Sequence, residues 1–489
     1  MNTSMIRVIL SRVLIILGTF MVTPCIISLI YGEQEGLTYF LVASGCVLIG
    51  ILLGIKKPKS QMIYLKDGLA ATGLSWIIMT IAGALPFYIT GEIPSFIDCL
   101  FETASGFSTT GSSILTDVEA LSHTAIFWRS LTHFLGGMGV LVFLLAIIPS
   151  SGGSSINLMK AESPGPSVGK VVPKISKTAQ MLYIIYSILT VLQFILLVAG
   201  QMPVFDAICT AFGTAGTGGF GIKNDSFASY TVYQQMVTAV FMYLFSINFN
   251  FYCFLAMKQF KKALGIEEVV VFCLLVILSV TTITINILPQ TEGVADSFEK
   301  AFFAVGTVIS TTGFATADFD TWPTLSKFIL FTLMFVGACA GSTGGGIKVS
   351  RLLIAGKNVR RYIKSYFRPN EVRVVKMDGA GVDEDTIRQV NTYLVTYAAV
   401  YFISVFFISL ENFDLVTTFS SVAATLNNIG PGLSLVGPSG NFSFFSPLSK
   451  TIFIFDMLLG RLELFPLLIF LAPDFYKAAI ASKRPSRKF

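Results

Sequence analysis

Charge is what this sequence has little of. Asp, Glu, Lys and Arg make up 13% of its 489 residues, about half the share that keeps a soluble domain's surface wet. Most of its surface must therefore face something other than water, which excludes disordered, fibrous and nucleic-acid-binding readings. Histidine is nearly absent: His123 and His133 are the only two. None of the seven cysteines forms a C-x-x-C pair, so a zinc site has no ligand set. Cys25, Cys46, Cys99, Cys209, Cys253, Cys273 and Cys339 lie mostly in apolar stretches and read as small buried hydrophobes. Neither histidine has an evident catalytic partner, so an enzyme reading finds no nucleophile and base, and no cofactor is implied. No cleavable signal peptide is expected, because the first apolar run is too long for one.

What is abundant is apolar. Hydrophobic residues make up 53% of the chain and mean hydropathy is +0.74. The apolar runs are about 20 residues long, so an α-helical integral membrane protein is expected rather than a barrel of short alternating strands. Ten spans are predicted, at 6–31, 36–55, 67–90, 126–149, 178–201, 232–256, 267–289, 325–356, 386–410 and 445–472. Twenty-six of the 34 Lys and Arg fall in one set of connections, from Lys56 through the dense stretch Lys348 to Arg388 and on to Lys488. The opposite set holds Lys223, Lys300, Lys327 and Lys450. That asymmetry predicts two cytoplasmic termini.

The connections on the acidic side, 91–125, 200–231, 290–327 and 411–450, are not hydrophilic loops. Each opens with an apolar stretch of about twelve residues, too short to span, and runs into a Gly/Thr/Ser cluster. Irregular backbone is tolerated at membrane depth only where it lines a watery cavity, so each reads as a re-entrant hairpin. Stacked, the four form an internal repeat: FIDCLFETASGFSTTGSS, VFDAICTAFGTAGTGGFG, FEKAFFAVGTVISTTGFA and LVTTFSSVAATLNNIGPG. Their turn triplets align without gaps as Thr109-Thr110-Gly111, Thr217-Gly218-Gly219, Thr311-Thr312-Gly313 and Asn428-Ile429-Gly430.

The predicted fold class is an all-α polytopic membrane protein: four helix–pore loop–helix units around one central pore, plus two extra N-terminal transmembrane helices. The expected organisation is 1–60 for the extra helices, then units at 61–155, 156–262, 263–375 and 376–489. Four such turns can replace an ion's hydration shell with backbone carbonyls, and glycine supplies the φ > 0 that such backbone needs. The triplets carry no charged side chain, which suits a dehydrated monovalent cation of potassium's size. The four acidic-side segments hold 14 Asp and Glu against 4 Lys, an excess that concentrates cations at a mouth.

These residues resemble the Trk/Ktr/HKT superfamily of potassium transporters, and the two extra N-terminal spans and compact loops favour its bacterial Trk-system branch. The resemblance covers essentially the whole chain. It implies potassium uptake across the bacterial inner membrane, K+ held by filter carbonyls, a homodimer, and a cytoplasmic ring of nucleotide-binding TrkA-like partners. The fourth triplet departs from the pattern by lacking threonines.

The eighth span is interrupted by Gly337 to Gly346, whose five glycines at about 1 kcal/mol each should unwind a helix. Gly341, Ser342, Thr343, Gly344, Gly345 and Gly346 then form either a close helix-packing stretch or a loop obstructing the pore. The resemblance implies the second, a gate. Arg461 lies within the last span; it faces the cavity below the filter, as the resemblance implies, or pairs with Glu463 or Asp456. Arg129 reads as an ion-pair partner or interfacial anchor. Gly216 to Gly221 matches G-x-G-x-x-G without a βαβ unit, and Gly341 to Ser350 is Walker-like only superficially, so no nucleotide site is expected. The competing function is a secondary transporter of sodium or a small organic solute built on Gly-broken helices. Against it, all four hairpins enter from one side.

Overall fold

A computed structural model describes residues 1–58, 60, 62–139, 175–473 and 475–477. It is helical throughout, with one two-stranded ribbon, Lys376–Met377 against Ala380–Gly381, among the described residues. Two N-terminal spans come first: Thr3–Phe20 continuing as Val22–Tyr31, then Gly36–Gly54. Glu33 joins them to the rest. Its carboxylate accepts from the backbone N–H groups of His123 and Thr124 and from the Thr124 hydroxyl. Burial alone would raise the Glu33 pKa, but these hydrogen bonds hold it below the usual carboxylate range.

Four similar stretches follow. Each has a long leading helix (Leu65–Thr90, Ile175–Ala199, Glu267–Ile287, Glu384–Ser409), a short helix, a turn and a return helix. The short helices are Phe96–Phe107, Val204–Gly216, Val294–Ile309 and Leu415–Leu426; the return helices are His123–Gly137, Val232–Ser246, Thr324–Phe335 and Pro447–Arg461. Polar caps start most of them: Ser122, Thr231, Asp414 and Ser446 each accept the N–H three residues on, which satisfies donors that a helix start leaves free.

Apolar side chains point outward. Ile188, Ile195, Leu274, Ile277, Leu278, Phe402, Ile403 and Phe406 are all exposed on the leading helices. Thr and Ser are buried at the centre, with Thr109, Thr110, Thr311 and Thr312 fully enclosed. This arrangement suits a hydrocarbon surround and a polar axis.

Four of the ten predicted spans are not continuous helices. The 232–256 segment divides into Val232–Ser246 and Phe249–Ala256, bent by 88°, because Asn248 leaves the first helix and its Oδ1 accepts from the Asn250 N–H to start the second. The 325–356 segment is helical over Thr324–Phe335 and Val349–Phe367 but not between them. In the 445–472 segment the helix ends at Arg461, and Glu463 and Leu464 take positive φ (55° and 71°) before Phe465–Leu468. The fourth span is helical over His123–Gly137; residues 140–149 lie outside the described residues, as do Lys160, Lys170, Lys174, Lys483, Arg484, Arg487 and Lys488. The first, second and fourth return helices are 15 residues long and the third 12, so each stops part-way along what reads as a span.

Each return helix packs on the next short helix: the first on the second, the second on the third, the third on the fourth, and the fourth on the first. One ion pair spans this closure and a second, fully buried, braces the first repeat. Lys450 of the fourth return helix donates to Asp98 of the first short helix at 2.7 Å. Arg129 pairs with Glu102 at 2.6 Å, both fully buried, and Glu102 also accepts from the Ser113 hydroxyl and the Ile114 N–H. The ion-pair role expected of Arg129 is the one observed.

Removing one partner of a buried pair costs about 3–5 kcal/mol, because the other charge is left uncompensated. Glu102→Ala should therefore lower the thermal midpoint and folded yield in detergent sharply. Glu102→Leu with Arg129→Met should recover much of the loss, a comparison made by thermal unfolding of the purified variants.

Candidate functional site

All four turn triplets meet at one place, under the C-terminal ends of the four short helices. In each turn the first residue is left-handed: φ is 57° at Thr109, 56° at Thr217, 60° at Thr311 and 56° at Asn428. The third residue is a glycine with positive φ: 80° at Gly111, 75° at Gly219, 93° at Gly313 and 101° at Gly430. The middle residues Thr110, Gly218, Thr312 and Ile429 do not share it, so the sign alternates along the turn. Glycine at the third position follows from the sequence, whereas threonine at the first does not. A β-branched residue in the left-handed region is an outlier costing on the order of 1–2 kcal/mol. A repeated hydrogen bond holds it there. The N–H groups of Thr110, Gly218, Thr312 and Ile429 each donate, at 2.8 Å, to a carbonyl five residues back, at Ser105, Gly213, Thr307 and Ala424. This is a helix C-cap of the Schellman type.

The turns close on one another in chain order. A Cβ on Gly111 would overlap the Gly218 carbonyl oxygen, one on Gly219 the Thr312 carbonyl oxygen, and one on Gly313 the Ile429 carbonyl oxygen. On Gly430 it would lie 2.8 Å from the Thr110 carbonyl oxygen. The twelve residues therefore form a closed ring of four backbone segments in direct contact.

The glycine-rich segment lies against one end of that ring. Thr343 bonds through its hydroxyl to the Phe245 carbonyl at 3.2 Å, and the Gly345 N–H donates to Thr311 Oγ1 at 2.7 Å. A Cβ on Gly344 would lie 2.9 Å from the Ser310 carbonyl oxygen. Gly341 accepts from the Phe249 N–H, Gly346 takes φ 67°, and the Ser342 hydroxyl bonds to the Cys339 carbonyl. The loop also takes up a carbonyl freed by the break in the second return helix, since the Cys339 N–H donates to Ser246. Arg461 joins three repeats. From the fourth return helix it donates at 2.6 Å to Thr343 of the loop and to Gly136, and also to Gly137. Of the alternative partners, Glu463 is paired with Arg351, and Asp456 accepts from Ser404 at 2.7 Å.

Three side chains carry more of this site than the sequence suggested. Lys348 reads as part of a basic connection, yet it is buried and donates to the carbonyls of Gly344 and Gly345. Glu268, at the start of a leading helix, accepts from the N–H groups of Ala340 and Ser350 at 2.7 and 2.9 Å and so pins both ends of the loop. His133 packs its ring directly against Gly218.

One polypeptide closing four pore turns beneath converging helix ends, inside a lipid-facing belt, defines a helical polytopic membrane protein with a pseudo-fourfold pore. Residues 40–478 match the family model TrkH, described as a cation transport protein. The chain belongs to that family. It is similar to the Trk system potassium uptake protein TrkH of Salmonella typhimurium, 34% identical with 96% of this chain and 98% of the relative covered. It is also similar to TrkG of Escherichia coli strain K12, 31% identical with 98% and 100% covered. The crystal structure of the potassium transporter TrkH from Vibrio parahaemolyticus superposes with a TM-score of 0.86 at 29% identity, over 97% of this chain and all of that one.

The ring geometry ranks its own substitutions. Alanine at Gly111, Gly219 or Gly313 should sharply reduce folded, monodisperse protein, because rigid backbone stands where the Cβ must go. Gly430→Ala, with the roomiest approach, should be tolerated best; size-exclusion yield across the four variants checks the order.

Proposed function

We propose that this chain carries out potassium uptake through the ring formed by Thr109, Thr110, Gly111, Thr217, Gly218, Gly219, Thr311, Thr312, Gly313, Asn428, Ile429 and Gly430. The observation that carries the reading is the closed contact of four positive-φ glycines, each against the next repeat's carbonyl. A potassium ion entering it exchanges water for backbone oxygens, which suits a weakly hydrated monovalent cation. Four short helices end at the ring. Each helix C-terminus is equivalent to about −0.5 charge, so partial negative charge from all four collects where the ion is dehydrated, with no carboxylate to bind it too tightly. The names of the relatives point to the same cargo.

Gly341, Ser342, Thr343, Gly344, Gly345, Gly346 and Arg461 form the gate in this reading. The loop bonds to the ring on one side and to Arg461 on the other, so a cation leaving the ring meets both an obstruction and a fixed positive charge. Opening requires the loop to give up the Thr311 and Arg461 bonds together. In this reading both termini lie in the cytoplasm of a cell whose inner membrane holds the protein, which the basic connections support. The units divide at 1–60, 61–155, 156–262, 263–375 and 376–489. A cytoplasmic TrkA-like nucleotide-binding ring and a second copy of the chain complete the assembly.

Rubidium uptake into proteoliposomes under sodium competition tests the cargo. Saturable Rb+ uptake that resists Na+ is expected, and uptake that follows sodium or an organic solute instead would favour a secondary transporter. The gate has its own test. Arg461→Gln, and separately a deletion shortening the 341–346 loop, should each raise flux per folded molecule, read as initial Rb+ uptake normalised to detergent-stable protein. Unaltered normalised flux in the shortened variant would falsify the gate assignment.

A further inference from the structure

The four turns are alike in backbone but not in what supports them from behind. In the first and third, a serine and a threonine two residues apart share a hydrogen bond. Ser108 Oγ lies 2.6 Å from Thr110 Oγ1, and Ser310 Oγ lies 2.6 Å from Thr312 Oγ1. At the same two register positions the second turn has Gly216 and Gly218. No side chain of its own can fill that space. The His133 ring fills it instead: a Cβ on Gly218 would overlap the imidazole, which also stacks on Phe220 with centroids 4.2 Å apart.

His133 stands eleven residues after the cap of its return helix, Ser122. The same offset from Thr231, Pro323 and Ser446 gives Met242, Met334 and Met457, all fully buried. Each return helix packs on the next repeat, so by register Met242, Met334 and Met457 correspond to the middle residues Thr312, Ile429 and Thr110, as His133 corresponds to Gly218. A flat, rigid ring stands where the other positions combine a flexible thioether with a branched side chain. His133 is fully buried, and neither ring nitrogen has a hydrogen-bond partner among the described residues, so the imidazole acts here through shape rather than through bonding.

We infer that His133 and Gly218 are one co-fitted pair, in which His133 is a positioning residue that sets the shape of the second turn and through it the ring's preference among monovalent cations. The selectivity part rests on the potassium reading; the pairing itself does not. Gly218 does not have positive φ, so a threonine there is conformationally allowed and its obstacle is the imidazole. Gly216 is different, since a Cβ there would overlap the backbone carbonyl of His133, which no change of the His133 side chain removes.

Full-length variants in detergent and in proteoliposomes decide the matter. Gly218→Thr alone should lower the thermal midpoint, and in vesicles reduce the preference for Rb+ over Na+. Adding His133→Met, which restores the methionine–threonine combination of the first and third turns, should return both to near the parent, and adding His133→Ala should return the midpoint at least in part. Gly216→Ala should be destabilised and stay so with either change at His133. A Gly218→Thr variant matching the parent in both readouts would overturn the pairing. So would a deficit that neither His133 change reduces, or equal rescue of Gly216→Ala, which would mean general loosening. If the parent carries no Rb+ the potassium reading fails, while the thermal midpoints still judge the pair.

Discussion

The ring of four turns leaves no space for a Cβ at its glycines, and most of the structure follows from that. Backbone meets backbone there, so the four repeats must sit at fixed separations to a fraction of an ångström. The turns that do this are themselves unfavourable, since a threonine or asparagine is left-handed in every one. Backbone strain of this kind persists only when its surroundings over-determine it. Here the surroundings are the four 2.8 Å cap hydrogen bonds, the complete burial of the triplet side chains, and ion pairs such as Arg129–Glu102 and Lys450–Asp98 that fasten one repeat to its own turn or to the next repeat.

The broken return helices serve the same requirement. A continuous helix satisfies its own backbone and offers nothing to a neighbour. Stopping at Ser246 frees carbonyls that the glycine-rich loop takes up through Cys339 and Thr343, and stopping at Arg461 leaves that side chain beside the Thr343 and Gly136 carbonyls. The loop is therefore a shared cross-link, its backbone polar groups met by partners from several repeats. Lys348 and Glu268 complete it, with an ammonium for the carbonyls of Gly344 and Gly345 and a carboxylate for the N–H groups at both ends.

Much of this architecture is legible in the sequence, and the reasons are uneven. Spans are visible because hydrocarbon demands long apolar runs, and the repeat is visible because positive φ selects glycine at one register. The break at Gly337 to Gly346 is visible because five glycines so close together are too costly for a continuous helix. The breaks after Ser246 and Arg461 are not, because Ile247 and Leu462 continue the apolar pattern and the deciding features are local, an Asn248 cap and two left-handed residues. Thr109, Thr217 and Thr311 carry no sign that they are left-handed, since threonine favours extended backbone almost everywhere. Lys348 counts as a topology marker by composition and becomes part of the loop only in three dimensions. The partner of Arg461 could not be read from its neighbours in sequence, because Glu463 and Asp456 are engaged elsewhere.

Closure of the ring joins the two ends of the repeat series. Lys450 reaches back 352 residues to Asp98, and Asn428 reaches 318 residues to Thr110. Contacts so distant in the chain form late, because loop closure precedes any gain from them. During synthesis the first three turns can be in the bilayer while the seam between the fourth and the first is still open. Until residues 447–461 have been made and inserted, the Lys450–Asp98 contact that joins the fourth repeat to the first cannot form. The ring is thus closed by its last member.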